Sequence, residues 1–158
     1  MVEKMKKSLL WCLVCLVCLI PCSGAALAAE ADAAQDAADG YVYDAAGLLT
    51  ADEISDLNDE IASFMEESGW NVYAVTTDDA QGKSATAYAD DFFDEHSTEQ
   101  EDGVVLLIDM DNREITISTC GIAIRYLTDS RIDNILDAAY AKISNGDYNG
   151  CMHSMLTG

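Results

Sequence analysis

The sequence predicts an α/β fold, a three-layer α/β/α sandwich on a small mixed β-sheet in a single domain. Three observations lead there. Ile54, Leu57, Ile61 and Phe64 recur at helical spacing, so the residues after Thr50 form an amphipathic helix. Val104 to Ile108 is apolar without a break, the pattern of a central strand covered on both faces. Ile115 to Thr119 alternates behind a polar turn at Met110 to Arg113, which fits an antiparallel partner with one drier face. Two strands joined by a helix pair in parallel through a right-handed crossover, and the hairpin then adds the antiparallel strand.

Each element has its own justification. Residues 1–28 read as a secretory signal peptide. Lys4, Lys6 and Lys7 make a positive start, Ser8 to Ile20 is apolar, and Ala26-Leu27-Ala28 supplies the small-x-small cleavage pattern. The apolar run falls short of the roughly 20 residues that a membrane span needs, which sets cleavage above an uncleaved anchor. Residues 29–40, rich in Ala, Asp and Gln and without periodicity, read as a disordered linker. The folded domain is expected over residues 41–158, either closing there or continuing into a longer chain.

Thr50-Ala51-Asp52-Glu53 is a capping box that opens the first helix, with Leu49 and Ile54 as a hydrophobic staple. Gly69 ends that helix. Trp70 to Thr77 alternates, with Val72, Ala74 and Thr76 on one face and Tyr73 and Val75 on the other. Ser84 to His96 predicts a second helix that turns Tyr88, Phe92 and Phe93 inward. Thr128 or Asp129 caps a third, whose stripe is Ile132, Ile135, Leu136, Ala139, Tyr140 and Ile143. Asn145-Gly146 stops it, and Asp147 opens a last helix carrying Cys151, Met152, Met155 and Leu156.

Charge narrows the function classes. Taking Lys4, Lys6, Lys7 and Glu3 away from the 8 basic and 29 acidic residues leaves 5 and 28, a net −23. Such a surface repels nucleic acid and anionic lipid, and it suits an extracytoplasmic setting with divalent cations. Cys12, Cys15, Cys18 and Cys22 lie in the leader, so only Cys120 and Cys151 remain. In an exported chain these two form one disulfide or stay as two buried thiols.

No catalytic motif is complete. Gln81-Gly82-Lys83-Ser84 resembles the tail of a phosphate loop, but Thr77 stands where its first Gly belongs, so a turn before a helix cap fits better. His96 and His153 lie in no zinc spacing. No G-x-S-x-G and no GxGxxG occurs, so no serine-hydrolase elbow and no nucleotide or organic cofactor is indicated. Asp109-Met110-Asp111-Asn112 begins like a calcium loop but has Glu114 and Cys120 at the required Gly and Glu positions, so it reads as a hairpin turn. What remains is Asp44, Asp102 and Asp129, each where a loop meets a regular element. Together they are candidate ligands for Ca²⁺ or Mg²⁺; singly, they are a loop carboxylate, a turn residue and a helix cap.

From Tyr41 onward the chain resembles the TPM domain family. The resemblance rests on Tyr43-Asp44-Ala45-Ala46-Gly47-Leu48-Leu49-Thr50, on Asp102-Gly103-Val104-Val105-Leu106-Leu107-Ile108, on Thr119-Cys120-Gly121 before Leu127-Thr128-Asp129, and on Gly146-Asp147-Tyr148. It implies an exported α/β/α sandwich. Members include a thylakoid lumen protein linked to photosystem II repair, an auxiliary modulator of acetylcholine receptors and many membrane-tethered bacterial proteins. Acid phosphatase activity and divalent-metal binding are attributed to some, and Asp44, Asp102 and Asp129 are the matching acidic positions. The Gly-x-Gly-Leu-Glu that often precedes the last of these is here Cys120-Gly121-Ile122-Ala123, without the Glu, which weakens any metal site. Bacterial members commonly continue into a transmembrane helix and a low-complexity tail.

Two functions follow as expectations. The first is a binding or assembly module that docks on an envelope or membrane protein, without nucleic acid, outside the cytoplasm. The second is a metal-assisted phosphatase acting on phosphate monoesters.

Overall fold

The computed structural model describes residues 40–98 and 101–158. The leader and most of the linker lie outside the described residues. Four strands form one sheet in the order β1 (Val42–Asp44), β2 (Asn71–Thr77), β3 (Gly103–Asp109), β4 (Glu114–Cys120). The first three are parallel and β4 is antiparallel to β3. Helix α1 (Ala51–Ser68) joins β1 to β2, and α2 (Ala85–His96) joins β2 to β3. After β4 come α3 (Ala123–Tyr126), α4 (Asp129–Ile143) and α5 (Tyr148–Thr157).

The three-layer architecture expected from the sequence is present. Alternation along the strands divides the core. Val72, Ala74, Val104 and Leu106 meet Leu57 and Ile61 of α1, Ile135 and Ala139 of α4, and Cys151, Met152 and Met155 of α5. On the opposite face Tyr73, Val75, Val105 and Leu107 meet Ala85, Ala89 and Phe93 of α2. The layers are unequal, with α2 alone against three helices. Because β1, β2 and β3 advance across the sheet in one direction while α1 and α2 cover opposite faces, the two crossovers have opposite hands. One of them departs from the right-handed rule.

The local signals act as the sequence suggests. Thr50 Oγ1 accepts from Glu53 N at 3.3 Å, and the Glu53 carboxylate accepts from Thr50 N at 2.8 Å. Gly69 closes α1 in the left-handed conformation at φ 71°. Ser84 caps α2, accepting from Ala87 N.

Three details differ from expectation, and the cap of α4 falls on one of its two candidates. β1 is an additional strand. Its three residues are too few to show a period, and pairing with Ala74, Val75 and Thr76 creates it. Helix α3 is also additional. Tyr140 leaves the buried stripe of α4 and is 44% exposed, while Ile135 and Ala139 are buried in the core. Thr128 occupies the cap position of α4, Asp129 is the first helical residue, and no side chain closes that end.

Candidate functional site

Asp44 ends β1, and its carboxylate organises the loop that follows. Oδ1 accepts from Leu48 N at 3.0 Å and Oδ2 from Leu49 N at 2.9 Å. The Thr76 hydroxyl of the neighbouring strand donates to Oδ1 and accepts from Ala46 N at 3.2 Å. The Asp44 to Thr50 motif is therefore a turn locked onto β2 by one carboxylate and one hydroxyl.

Asp102 stands at the other end of the sheet. Its main-chain oxygen accepts from Asn71 N at 2.8 Å, and its Oδ1 accepts from Ile122 N at 2.6 Å. That carboxylate occupies the space where a side chain on Gly121 would project: a Cβ there would lie 2.0 Å from Asp102 Oδ1. Gly103 is equally constrained, since a Cβ would lie 2.3 Å from the Asn71 carbonyl oxygen and 2.5 Å from Phe93 Cε2. Asp102, Gly103 and Gly121, which stand far apart in sequence, thus form one device that fixes the turn from β4 into α3.

The three candidate ligands are not brought together. Asp44 pairs with Thr76 near the carboxyl end of β2, whereas Asp102 precedes Gly103, which pairs with Asn71 at its amino end. At ~3.3 Å per residue, the length of β2 between them is roughly 20 Å. No single cation spans that gap. Asp129 is exposed in the first turn of α4, beyond α3, and takes no hydrogen bond from the described residues. Among the described residues no group of three or more His, Cys, Asp or Glu is placed to hold one metal ion.

Other carboxylates at the carboxyl ends of β2 and β3 are engaged with loops. Buried Asp109 accepts from Asn112 N at 2.9 Å and from Asn112 Nδ2 at 2.7 Å, which makes Met110 to Arg113 the expected hairpin turn. Asp111 accepts from Ala80 N, and Asp79 from Gln81 N. His96 Nδ1 is 2.8 Å from the Phe92 carbonyl oxygen in the last turn of α2, where a helix end favours it. His153 Nδ1 is 2.7 Å from Glu60, joining α5 to α1.

Of the two alternatives for Cys120 and Cys151, one bridge or two thiols, the structure has the thiols. Both thiols are free, and the sheet separates them: Cys151 is buried among α1, α4 and α5, while Cys120 packs with the core under α2. Burial pushes the Cys151 thiol up to about 11, with Asp147 adding to the shift.

A surface that sequence reasoning missed lies beside Asp102. Ile122, before α3, and Ile124 and Tyr126 within it face solvent at 40%, 56% and 55% exposure. Tyr126 packs on Trp70, ring centroids 5.6 Å apart, and Trp70 packs on Phe64. Ser68, Gly69, Trp70, Asp102, Ile122 and Tyr126 line a groove of about 410 Å³. The Arg131 guanidinium donates to the Tyr126 carbonyl oxygen at 2.8 Å and finishes α3. In the sequence, Ile122, Ile124 and Tyr126 fall two apart, an alternation that suggests a strand rather than the short helix they form.

Comparison with known proteins agrees with this architecture. Residues 42–158 match the family described as TPM domain. The chain is 32% identical over 108 residues to UPF0603 protein YdjH of Bacillus subtilis (strain 168), covering 68% of this chain and 42% of that protein. The chain therefore spans less than half the length of that relative. Among solved structures, the N-terminal domain of a protein from P. gingivalis superimposes with a TM-score of 0.66 at 18% identity, over 73% of this chain and 76% of that one. The N-terminal domain of cg2496 from Corynebacterium glutamicum gives 0.60 at 15% identity, over 78% and 79%. BA42 from Bizionia argentinensis gives 0.53 at 17%, over 68% and 76%. With the family match running from the first strand to the final residue, this chain belongs to the TPM domain family.

Proposed function

We propose that this domain is a docking module that acts outside the cytoplasm and binds an envelope or membrane protein through α3. One observation carries the reading: Ile122 and Tyr126 line a groove together with Trp70, and Ile124, in the same short helix as Tyr126, also stands in solvent. Exposed apolar groups gathered around a groove mark interaction sites more often than chance placement does. Aromatic anchors are also the side chains that carry most binding energy at interfaces. The leader-like residues 1–28 support export. Asp102 supports the module indirectly, because its carboxylate accepts from Ile122 N at the entry to α3.

The test places a photo-crosslinking amino acid at Ile124 of the full-length chain, and a control at exposed Asp56 on α1. Envelope membranes of the source organism are the target. The reading expects one saturable crosslink from position 124, competed by excess wild type and not by a folded Tyr126→Ser variant. Equal competition by that variant, or no saturation, refutes it. Hydrolysis of p-nitrophenyl phosphate with Ca²⁺ or Mg²⁺ that disappears in folded Asp44→Asn and Asp129→Asn variants supports the phosphatase reading instead.

A further inference from the structure

The outer edge of the sheet carries a second binding feature. β4 is the last strand in the order and pairs with β3 alone, in unbroken register from Glu114 opposite Asp109 to Cys120 opposite Gly103. No bulge interrupts it. Among the described residues, no hydrogen bond reaches its main chain other than from β3. Alternate residues of β4 therefore present unpaired N–H and C=O groups outward. Proteins normally blunt such an edge with lysine, proline, a bulge or a short strand. The sequence Glu-Ile-Thr-Ile-Ser-Thr-Cys has none of these: it is seven residues long, rich in β-branched side chains and charged only at Glu114. Thr116, Ser118, Thr119 and Cys120 are half-exposed along it.

From this edge we infer that β4 accepts an extended, cationic strand from a partner protein, which joins the sheet as a fifth strand. The side chains set the chemistry of that strand. Ile115 and Ile117 point into the layer of α1, α4 and α5. Glu114, Thr116, Ser118 and Cys120 point the other way, toward α2, and the Ser118 hydroxyl donates to Asp90 of that helix. The α2 side of the edge thus carries two carboxylates, Glu114 and Asp90, at the level of residues four apart. An added strand with lysine or arginine at i and i+4 meets both, while its residues i+1 and i+3, on the opposite side, extend the row of Ile115 and Ile117. Main-chain bonds supply affinity and the alternate side chains supply selectivity. A second copy of the chain is disfavoured, since each copy brings net charge −21. This inference rests on the docking reading only in class, because it does not use α3.

The test uses the isotope-labelled full-length chain and a capped synthetic heptapeptide, Lys-Val-Thr-Val-Lys-Val-Thr. Amide exchange at every second residue of β4 should slow by about tenfold or more on saturation. Two versions of the peptide, N-methylated at its odd or its even residues, block one edge each, and one of them alone should abolish protection. Replacing both lysines by glutamate should weaken binding, and Asp90→Lys in the protein should shrink that preference with amide shifts elsewhere unchanged. Protection should persist in Ile124→Asp, which separates this edge from α3. Absence of β4 protection at saturating peptide, equal effects of both N-methyl isomers, or shifts confined to α3 overturns the inference. Protection of β4 that rises with protein concentration alone, together with a dimer in sedimentation, also overturns it and assigns the edge to a second copy.

Discussion

Replacing Gly121 by alanine tests whether Asp102 is a structural carboxylate. Gly121 adopts φ 65°, in the left-handed region, where a side chain costs about 1–2 kcal/mol. The new Cβ would also lie 2.0 Å from Asp102 Oδ1, a distance no pair of atoms tolerates. The carboxylate must swing away and give up the 2.6 Å bond from Ile122 N. Losing a bond to a charged acceptor at this solvent-exposed site adds about 1–2 kcal/mol. Gly121→Ala should therefore destabilise the protein by roughly 2–4 kcal/mol in total. In an Asp102→Ala background there is no carboxylate to displace, and the same substitution should cost only the backbone term, about 1–2 kcal/mol. Urea denaturation of the four proteins, followed by circular dichroism, closes the cycle. The expected coupling between the two sites is about 1–2 kcal/mol. If Gly121→Ala costs the same in both backgrounds within about 0.5 kcal/mol, the shared-space argument fails.

The remaining predictions concern capping, titration and reactivity. Thr50→Ala removes one half of the capping box and should cost about 1 kcal/mol at neutral pH, read from the urea midpoint. Glu53 is held below its ordinary value of 4.5 by the main-chain and then the side-chain bonds from Thr50, so its contribution is complete above 4.5 and disappears as the pH falls through its folded value. The stability gap between wild type and Glu53→Gln should close on acidification, and a constant gap refutes the assignment. Cys151 behaves in the opposite sense. Its thiol is raised from 9.0 to about 11, so folding stability is complete below 9.0 and declines as the pH rises toward 11. At about pH 8, iodoacetamide should modify Cys120 first and reach Cys151 only at the rate of unfolding. Equal labelling of both in the native protein would contradict the buried placement.

Much of this molecule was legible from residues 41–158 because its signals are local. The Thr50–Glu53 box, the helix end at Gly69 and the alternation of Val72 to Thr77 involve residues within a turn or two of each other, so the sequence contains both partners of each interaction. The unbroken apolar run of β3 announced burial on both faces without naming what would cover them. The resemblance carried by Asp102, Gly103 and Gly121 pointed to the family, yet it left open whether those residues bind metal or fill space.

Tertiary structure decided the rest. β1 exists because Val42 to Asp44 lie against β2, and three residues hold too little information to announce a strand alone. The separation of Asp44 from Asp102 follows from parallel pairing, which sends the end of one strand and the start of another to opposite rims. The cysteines stay apart because their strand and helix fall on different faces of the sheet. The exposure of α3 and the open edge of β4 depend on which neighbours the fold leaves out, and a linear pattern of residues does not record neighbours that are distant in the chain.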